Sequence, residues 1–124
     1  MNKQKILIVE DDTFLGELLV NYLAKEGFSS ELAVDGESAL VSVRKETPAL
    51  ILLDIILPGI DGYEVLRQLK KDPGLQKIPV LILSNLGQKD EVERGLKLGA
   101  QEFLIKAQLD LDDIAKKIKT ILGA

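Results

Sequence analysis

The sequence contains no cysteine, no histidine and no tryptophan. Without cysteine the chain can form neither a disulfide bond nor a thiolate nucleophile. Without histidine it lacks the side chain that most often serves as a general base or as a ligand for transition metals. A reactive site in this protein must therefore be built from carboxylates, hydroxyl groups and lysines.

The sequence also lacks a long apolar run and a long cluster of basic residues. The residues from Met1 to Lys5 lead directly into a short apolar stretch, so we expect neither a signal peptide nor a transmembrane span and predict a cytoplasmic protein. The formal net charge of −4 argues against direct binding of nucleic acid. We therefore expect the partners to be proteins and expect no contact with a membrane.

What the sequence does contain is typical of a globular domain. Hydrophobic residues make up 46% of the 124 residues and charged residues make up 29%. This length fits one domain of ordinary size, and no internal repeat or linker is visible. We therefore predict a single domain over residues 1–124, and both a free-standing protein and one domain of a longer chain fit this prediction.

Short apolar runs alternate with segments of helical periodicity, which is typical of a parallel sheet wrapped by helices. Five such units follow one another, so we predict an α/β fold with a doubly wound (βα)5 parallel sheet. The strands are predicted at residues 5–9, 28–34, 49–53, 79–83 and 102–105. The second strand is weaker and more polar and is expected at an edge of the sheet.

The helices are predicted from apolar stripes and from residues that begin or end helices. The first helix carries one stripe, expected to pack on the sheet, that consists of Phe14, Leu15, Leu18, Leu19, Tyr22 and Leu23. Asp12 and Asp35 are expected to cap the N-termini of two helices. Gly27 and Gly99 are expected to end two helices, and the last helix is expected to begin near Leu111.

Polar side chains follow the predicted strands at the points where the strands end. In doubly wound sheets the carboxyl ends of the strands lie along one edge, and ligands bind there. We therefore expect five residues to meet at this edge: Glu10, Asp11, Asp54, Ser84 and Lys106. Carboxylates that lie close together repel and raise one another's pKa values unless a cation, a proton or strong hydrogen bonds offset the charge. This edge is therefore a candidate site.

The residue types at this edge suit phosphoryl transfer. Hard oxygen ligands such as the carboxylates of Asp11 and Asp54 suit Mg²⁺, which is usually held by one or two carboxylates plus phosphate oxygens. A carboxylate can also attack phosphorus and form an aspartyl phosphate. The transfer then requires mainly positioning and neutralisation of the phosphoryl oxygens, which Mg²⁺, Lys106 and the Ser84 hydroxyl would supply.

The spacing of these residues matches a known family. Glu10 and Asp11 follow the first strand, and Ser84 and Lys106 follow the fourth and the fifth. The motif after the third strand is Asp54 followed by Leu57, Pro58, Gly59 and Gly62. The whole chain thereby resembles a response-regulator receiver domain of the CheY-like kind. The resemblance implies a flavodoxin-like fold with strand order 2-1-3-4-5 and five surrounding helices.

The resemblance also implies a role for each position. Asp54 is the implied phosphoacceptor, and Lys106 the implied contact of the phosphoryl group. Ser84 and Phe103 are the implied switch residues. The implied Mg²⁺ ligands are Glu10, Asp11, Asp54 and the backbone carbonyl of Ile56.

The implied function is a two-component signalling switch, not an enzyme beyond Mg²⁺-dependent self-phosphorylation and self-dephosphorylation. Because the chain has no histidine, the phosphoryl donor must be another molecule: a histidine kinase, a phosphotransfer protein or a small donor such as acetyl phosphate. Phosphorylation of Asp54 is expected to change the face formed by the fourth helix, the fifth strand and the fifth helix. This face would bind an unidentified downstream protein, and the domain would be a monomer or a phosphorylation-dependent dimer.

Three positions depart from the usual pattern of the family. Lys106 precedes Ala107, where most receivers have a proline after a cis peptide bond. A cis bond before another residue costs about 2.5 to 4 kcal/mol, so the sequence leaves both a cis and a trans bond open. Glu10 replaces the commoner aspartate and would reach a metal more easily through water. Phe103 lacks the hydroxyl of tyrosine, so its switching would depend on packing alone.

Three other functions share this fold or this chemistry. An aspartyl phosphohydrolase would need a second aspartate two residues after Asp54, where Ile56 stands. A flavin-binding module would need a loop rich in serine, threonine and glycine after the first strand, where the acids that begin at Glu10 would repel a phosphate. A receiver-like docking module that takes no phosphate is kept open by Ala107.

Overall fold

The structure is a computed structural model that describes residues 3–123. Met1, Asn2 and Ala124, which the predicted domain includes, lie outside the described residues. Strands and helices alternate along the chain as β1 Lys5–Val9, α1 Thr13–Lys25, β2 Ser29–Ala33, α2 Gly36–Lys45, β3 Leu50–Leu53, α3 Gly62–Lys71, β4 Val80–Ser84, α4 Lys89–Lys97, β5 Glu102–Ile105 and α5 Leu111–Leu122.

The five strands form one parallel sheet in the order β2-β1-β3-β4-β5. This order confirms the predicted fold class and topology, including the edge position of β2. The register aligns the carboxyl ends of the central strands, because Val9 is paired with both Ala33 and Leu53. The residues that follow β1 and β3 therefore emerge side by side.

The sheet is buried on both faces, as the apolar strands predict. One face packs mainly against α2 and α3, and the other packs against α1 and α5. The fully buried side chains of the central strands include Ile6, Leu7, Ile8, Leu50, Ile51, Leu52 and Leu53. Each such side chain contributes about 1.5 to 3 kcal/mol through burial, so the strands that carry the polar edge are held firmly in the core.

The predicted apolar stripe of α1 is confirmed at four positions that pack in the core, Leu15, Leu19, Tyr22 and Leu23, and is wrong at the other two. Phe14 is 74% exposed and Leu18 is 41% exposed, so these two side chains do not pack on the sheet. The residues of α1 that are buried are Gly16, Leu19 and Leu23. Gly16 also faces the sheet, since a Cβ there would lie 2.7 Å from the side chain of Leu32 in β2. The helix therefore approaches the sheet through its glycine, which an apolar pattern does not register.

Several predicted boundaries shift by one residue. β2 is shorter at both ends than the predicted 28–34, and β3 begins at Leu50. β4 runs from Val80 to Ser84, so the hydroxyl of Ser84 belongs to the strand and does not follow it. A short 3₁₀ helix at Lys106–Gln108, which the sequence did not predict, follows β5 directly.

Aspartates cap the N-termini of four helices. The predicted caps are confirmed: Asp12 accepts a hydrogen bond from the N–H of Leu15, and Asp35 accepts one from Ser38. Two further helices, α3 and α5, are capped by Asp61 and Asp110. These caps satisfy backbone donors that the first helical turn leaves free.

Gly62 closes the loop that follows β3. Its N–H donates to the carbonyl of Ile55 over 2.9 Å. A Cβ on this residue would lie 2.2 Å from the backbone oxygen of Asp54 and 2.7 Å from the Cα of Ile55. Only glycine therefore allows α3 to begin this close to the end of β3.

None of the helices in the described part of the chain is long and apolar enough to cross a membrane.

We predict that Gly62→Ala lowers the free energy of unfolding by about 2 kcal/mol, because the added methyl group overlaps backbone atoms that cannot move aside. Urea denaturation followed by circular dichroism measures this change. Gly74→Ala is the matched control, since a Cβ at this exposed position meets only a side-chain oxygen of Asp72 at 3.4 Å. Equal stabilities of the two variants would contradict the prediction.

Candidate functional site

Asp54 lies directly after β3 with only 5% of its surface exposed. One carboxylate oxygen, Oδ1, accepts hydrogen bonds from the N–H groups of Ile55 at 2.7 Å and Ile56 at 3.3 Å. The N–H of Asp54 itself donates to the carbonyl of Val9. The carboxylate is therefore fixed at the end of the sheet by the backbone, and its second oxygen is turned to other partners.

Lys106 supplies the partner of that second oxygen. Its Nζ lies 2.7 Å from Oδ2 of Asp54 and 2.5 Å from Oε1 of Glu10. β5 is separated from β3 by β4, so the long side chain of lysine spans the carboxyl end of β4 to reach both acids. The described residues contain no cis peptide bond, so the bond between Lys106 and Ala107 is trans. The question that the sequence left open is thereby answered, and the lysine still reaches Asp54.

The three predicted acids converge. Glu10, Asp11 and Asp54 each present one carboxylate oxygen, and these oxygens lie within 4.8 Å of one another. Glu10 and Asp54 are buried, whereas Asp11 is exposed. Oε2 of Glu10 is buried and has no hydrogen-bond partner among the residues described. An all-oxygen cluster with one unsatisfied buried acceptor fits a hard divalent cation such as Mg²⁺.

The two buried acids, Glu10 and Asp54, differ in how readily they bind a proton. Burial, together with the neighbouring Asp54 carboxylate, raises the pKa of Glu10 to about 7. Burial alone would raise the pKa of Asp54 as well, but its contacts with Glu10 and Lys106 lower it below its ordinary value. The pKa of Lys106 is raised, since its desolvation is outweighed by the two acids. Asp54 therefore stays ionised when Glu10 takes up a proton.

Ser84 joins the site at the end of β4. Its side chain is fully buried, and its hydroxyl accepts a hydrogen bond from the N–H of Leu86 at 3.4 Å. The nearby Ser84 hydroxyl also helps to lower the pKa of Asp54. The hydroxyl is thus placed at the acids, as the sequence predicts.

The remaining predicted residues lie around this centre. Ile56 lies two residues after Asp54, in the loop that follows β3. The residue is 57% exposed, so its side chain faces solvent. Phe103 is only partly buried and packs on the core at the side of α4, where a Cβ on Gly95 would lie 3.0 Å from its ring. Phe103 is therefore in contact with α4 and is not part of the acidic cluster.

Sequence reasoning missed the contacts that join α3 to α4. The Tyr63 hydroxyl donates to the backbone carbonyl of Glu91 at 2.9 Å. The guanidinium group of Arg94 lies 4.1 Å from the centre of the Tyr63 ring, which is a cation–π contact. These residues lie on different helices, so no local pattern in the sequence pairs them. Tyr63 directly follows the closing Gly62, and it thereby connects the loop after Asp54 to α4.

An apolar groove opens beside Lys106. It has a volume of about 330 Å³ and is lined by Leu15, Leu18, Leu83, Lys106, Leu109, Asp110, Leu111 and Ile114. Phe14, the most exposed of the large apolar side chains described, lies on the helix that forms one wall. The site is therefore bordered by an exposed apolar surface on the α1 side.

We predict that the metal-free protein loses about 2 to 3 kcal/mol of unfolding free energy as the pH rises from about 5 to 8. Glu10 binds its proton more tightly in the folded chain, with a pKa of about 7, than its ordinary value of 4.5, so the folded state is favoured at low pH and loses this advantage as Glu10 ionises. The chain has no histidine to titrate in the same window. Urea denaturation at a series of pH values, in the presence of a chelator, measures the slope.

Glu10→Gln should remove most of this slope, because glutamine cannot ionise. Glu17→Gln, at an exposed position of α1, should keep it. A wild-type stability that rises between pH 5 and 8, or a slope that Glu10→Gln leaves unchanged, would contradict the assignment of the proton to Glu10.

Comparisons with known proteins agree with this geometry. The profile of the response regulator receiver domain matches residues 6–119. MtrA, a DNA-binding response regulator of Mycobacterium tuberculosis, is 39% identical over 104 residues, which are 84% of this chain and 44% of that protein. The chain thus spans less than half the length of the curated MtrA relatives that it matches.

Solved structures show the same architecture. The signal receiver domain of a signal transduction histidine kinase from Syntrophus aciditrophicus is 34% identical, with a TM-score of 0.89, covering 97% of this chain and 90% of that one. The CheX-CheY-BeF3-Mg complex from Borrelia burgdorferi contains a chain that is 27% identical, with a TM-score of 0.87, covering 95% of this chain and 88% of that one. Because the family profile spans nearly the whole chain, this protein belongs to the response regulator receiver domains of two-component signalling.

Proposed function

We propose that this receiver domain is a phosphorylation switch that accepts a phosphoryl group on Asp54 from a histidine kinase or a phosphotransfer protein. The single observation that carries the proposal is the environment of the Asp54 carboxylate. It is buried, two backbone N–H groups hold one oxygen, and Lys106 holds the other. A carboxylate held in one orientation in this way is positioned to attack the phosphorus atom of a donor.

The ionisation state of Asp54 supports the role of nucleophile. Its pKa is lowered, so the carboxylate carries the electron pair that forms the bond to phosphorus. As that bond forms, the bond between phosphorus and the donor atom breaks, and the donor leaves with its electron pair. Lys106 already lies at the attacking group and would neutralise charge on the phosphoryl oxygens.

The acidic cluster supports Mg²⁺ as the cofactor. Glu10, Asp11 and Asp54, with the backbone carbonyl of Ile56, would hold the ion, and the unsatisfied Oε2 of Glu10 is an acceptor available to it or to one of its waters. When bound, Mg²⁺ supplies positive charge to the phosphoryl oxygens. The structure of the Borrelia CheY relative with BeF3 and Mg²⁺ concerns a protein of the same family and supports this assignment.

The surface next to Asp54 suits a protein donor. The apolar groove beside Lys106 and the exposed Phe14 lie on one side of the site, and the exposed side chain of Ile56 lies in the loop that follows Asp54. Apolar side chains exposed around a reactive group are typical of a surface that a protein partner covers. A donor protein that covers this surface would also exclude water from the transfer.

The weak attachment of α4 suits the output of a switch. Gly95 is the only residue of α4 that is buried, so this helix contributes little to the core. Ser84 at the site and Phe103 beside α4 are the residues that we propose to move when Asp54 is phosphorylated. The face formed by α4, β5 and α5 would then bind the downstream protein or a second copy of the domain.

The alternatives are less well supported. Ile56, where a phosphohydrolase would carry its acid, has an apolar side chain exposed to solvent. A docking module that takes no phosphate was kept open by Ala107, but the trans bond at this position leaves Lys106 in contact with Asp54. The phosphorylation switch therefore accounts for more of the geometry.

We predict that acetyl phosphate with Mg²⁺ adds one phosphoryl group to the wild type. Asp54→Asn should abolish the addition, because an amide lacks the anionic oxygen with which a carboxylate attacks phosphorus. Mass spectrometry of the intact protein and of its peptides measures this. Asp12→Asn is the matched control, since asparagine preserves the helix cap. Phosphorylation of Asp54→Asn to the wild-type level, or none in the wild type with any donor, would refute the proposed function.

We predict that Asp11→Asn weakens Mg²⁺ binding about tenfold or more, whereas Asp12→Asn leaves it within about twofold of the wild type. Asp11 contributes an oxygen to the acidic cluster, whereas Asp12 caps α1. Isothermal titration calorimetry measures both affinities. Removal of Mg²⁺ with a chelator should also abolish the rise in melting temperature that beryllofluoride produces. Equal Mg²⁺ affinities of the two variants would contradict the proposed ligand set.

A further inference from the structure

Two contacts attach α4 to the start of α3. The hydroxyl of Tyr63 donates a hydrogen bond to the backbone carbonyl of Glu91 over 2.9 Å, and the guanidinium group of Arg94 lies 4.1 Å from the centre of the Tyr63 ring. Burial raises the pKa of the Tyr63 hydroxyl, so this group keeps its proton and remains a donor. These two contacts together form the Tyr63 clamp.

The α3 side of the Tyr63 clamp is fixed in place. Tyr63 is 5% exposed, and Gly62 before it lies against the backbone of Asp54, where a Cβ would come within 2.2 Å of the carbonyl oxygen. Asp61 caps the same turn by accepting a hydrogen bond from the N–H of Glu64 at 2.9 Å. The Tyr63 hydroxyl is therefore held at its position when α4 moves.

The α4 side of the Tyr63 clamp has room to shift. Gly95 is the only residue of this helix that is buried, and it lies against Ile82 and Phe103. A groove of about 660 Å³ between α3 and α4 is lined largely by charged side chains, among them Glu64 and Glu93. Because water solvates such side chains, α4 can shift on this side without exposing an apolar interface. A displacement of α4 would therefore break the clamp, since only one of its two sides follows.

α4 has a second attachment, which leads to the site itself. The Ser84 hydroxyl accepts a hydrogen bond from the N–H of Leu86 at 3.4 Å, and the chain runs from there directly into α4. In the proposed switch, Ser84 moves when Asp54 is phosphorylated. The segment that Ser84 holds would then shift the start of α4, whereas Tyr63 stays with α3.

We propose that the Tyr63 clamp opposes the switch by holding α4 in the position of the unphosphorylated protein. Tyr63 is a positioning residue, because it acts through α4 and not on the phosphoryl group. The inference rests on the proposed function, since it assumes that phosphorylation of Asp54 displaces α4. A contact that is made in only one of two states shifts their equilibrium by its own free energy, so the clamp sets how readily the domain is activated.

The test is a titration with beryllofluoride at saturating Mg²⁺, followed by the amide NMR signals of α4. Tyr63→Phe removes the hydroxyl and keeps the ring, and we expect it to lower the titration midpoint about fivefold, a typical size for one lost hydrogen bond. Tyr22→Phe is the matched control, because its hydroxyl joins two other helices through a hydrogen bond to Asp112 over 3.1 Å. Its midpoint should stay within about twofold of the wild type.

The second contact of the clamp is tested in the same way. Arg94→Gln should lower the midpoint about twofold, because it removes the cation–π contact. Arg67→Gln is its control for charge and should leave the midpoint unchanged, since Arg67 pairs with Glu64 on its own helix. An equal or higher midpoint for Tyr63→Phe than for the wild type would overturn the inference. Failure of the wild type to bind beryllofluoride would instead refute the proposed function.

Amide hydrogen exchange needs no ligand, so it tests the clamp independently of the proposed function. Tyr63→Phe and Tyr22→Phe each remove one hydroxyl hydrogen bond between helices, but only Tyr63→Phe removes an attachment of α4. The amides of α4 should exchange about fivefold faster in Tyr63→Phe and at the wild-type rate in Tyr22→Phe. Equal acceleration in both variants, or none in Tyr63→Phe, would overturn the inference.

Discussion

The bridge that Lys106 makes to Glu10 and Asp54 is the interaction on which the rest of the site depends. It joins residues that follow three different strands, β1, β3 and β5. Two buried carboxylates this close would be unstable without a positive charge between them. The lysine provides that charge, and it is held there because the parallel sheet brings the carboxyl ends of these strands to one edge. The fold and the site therefore have a common origin.

The same bridge explains why the site can respond to a ligand. The lysine neutralises only part of the negative charge of the two acids. Oε2 of Glu10 has no partner among the described residues, and the pKa of Glu10 is raised to about 7. Because the acids are incompletely neutralised, a bound cation would lower the free energy of this site. The lysine alone therefore does not balance the charge of the acidic cluster.

The loop between β3 and α3, which follows Asp54, has little room to move. Gly62 packs on the backbone of Asp54, and Tyr63 next to it is bonded to α4 through the carbonyl of Glu91. α4 itself has one buried residue, so it is held by a few contacts rather than by a large apolar face. In the proposed switch, this rigid loop and loosely held helix would let a change at Asp54 reach α4 with little disturbance of the core.

The sequence by itself determined the five strands and helices, the strand order through its family resemblance, and the five polar residues at the edge of the sheet. Apolar runs and helical periodicity are local properties, and parallel topology brings strand ends together whatever the side chains are. Only the tertiary structure decided that Phe14 and Leu18 face solvent and that Gly16 lies against β2, because these positions depend on how the helix packs on the sheet. It also decided that the bond before Ala107 is trans and that Lys106 reaches Glu10 as well as Asp54. These outcomes depend on distances between residues far apart in the chain, which no local pattern specifies.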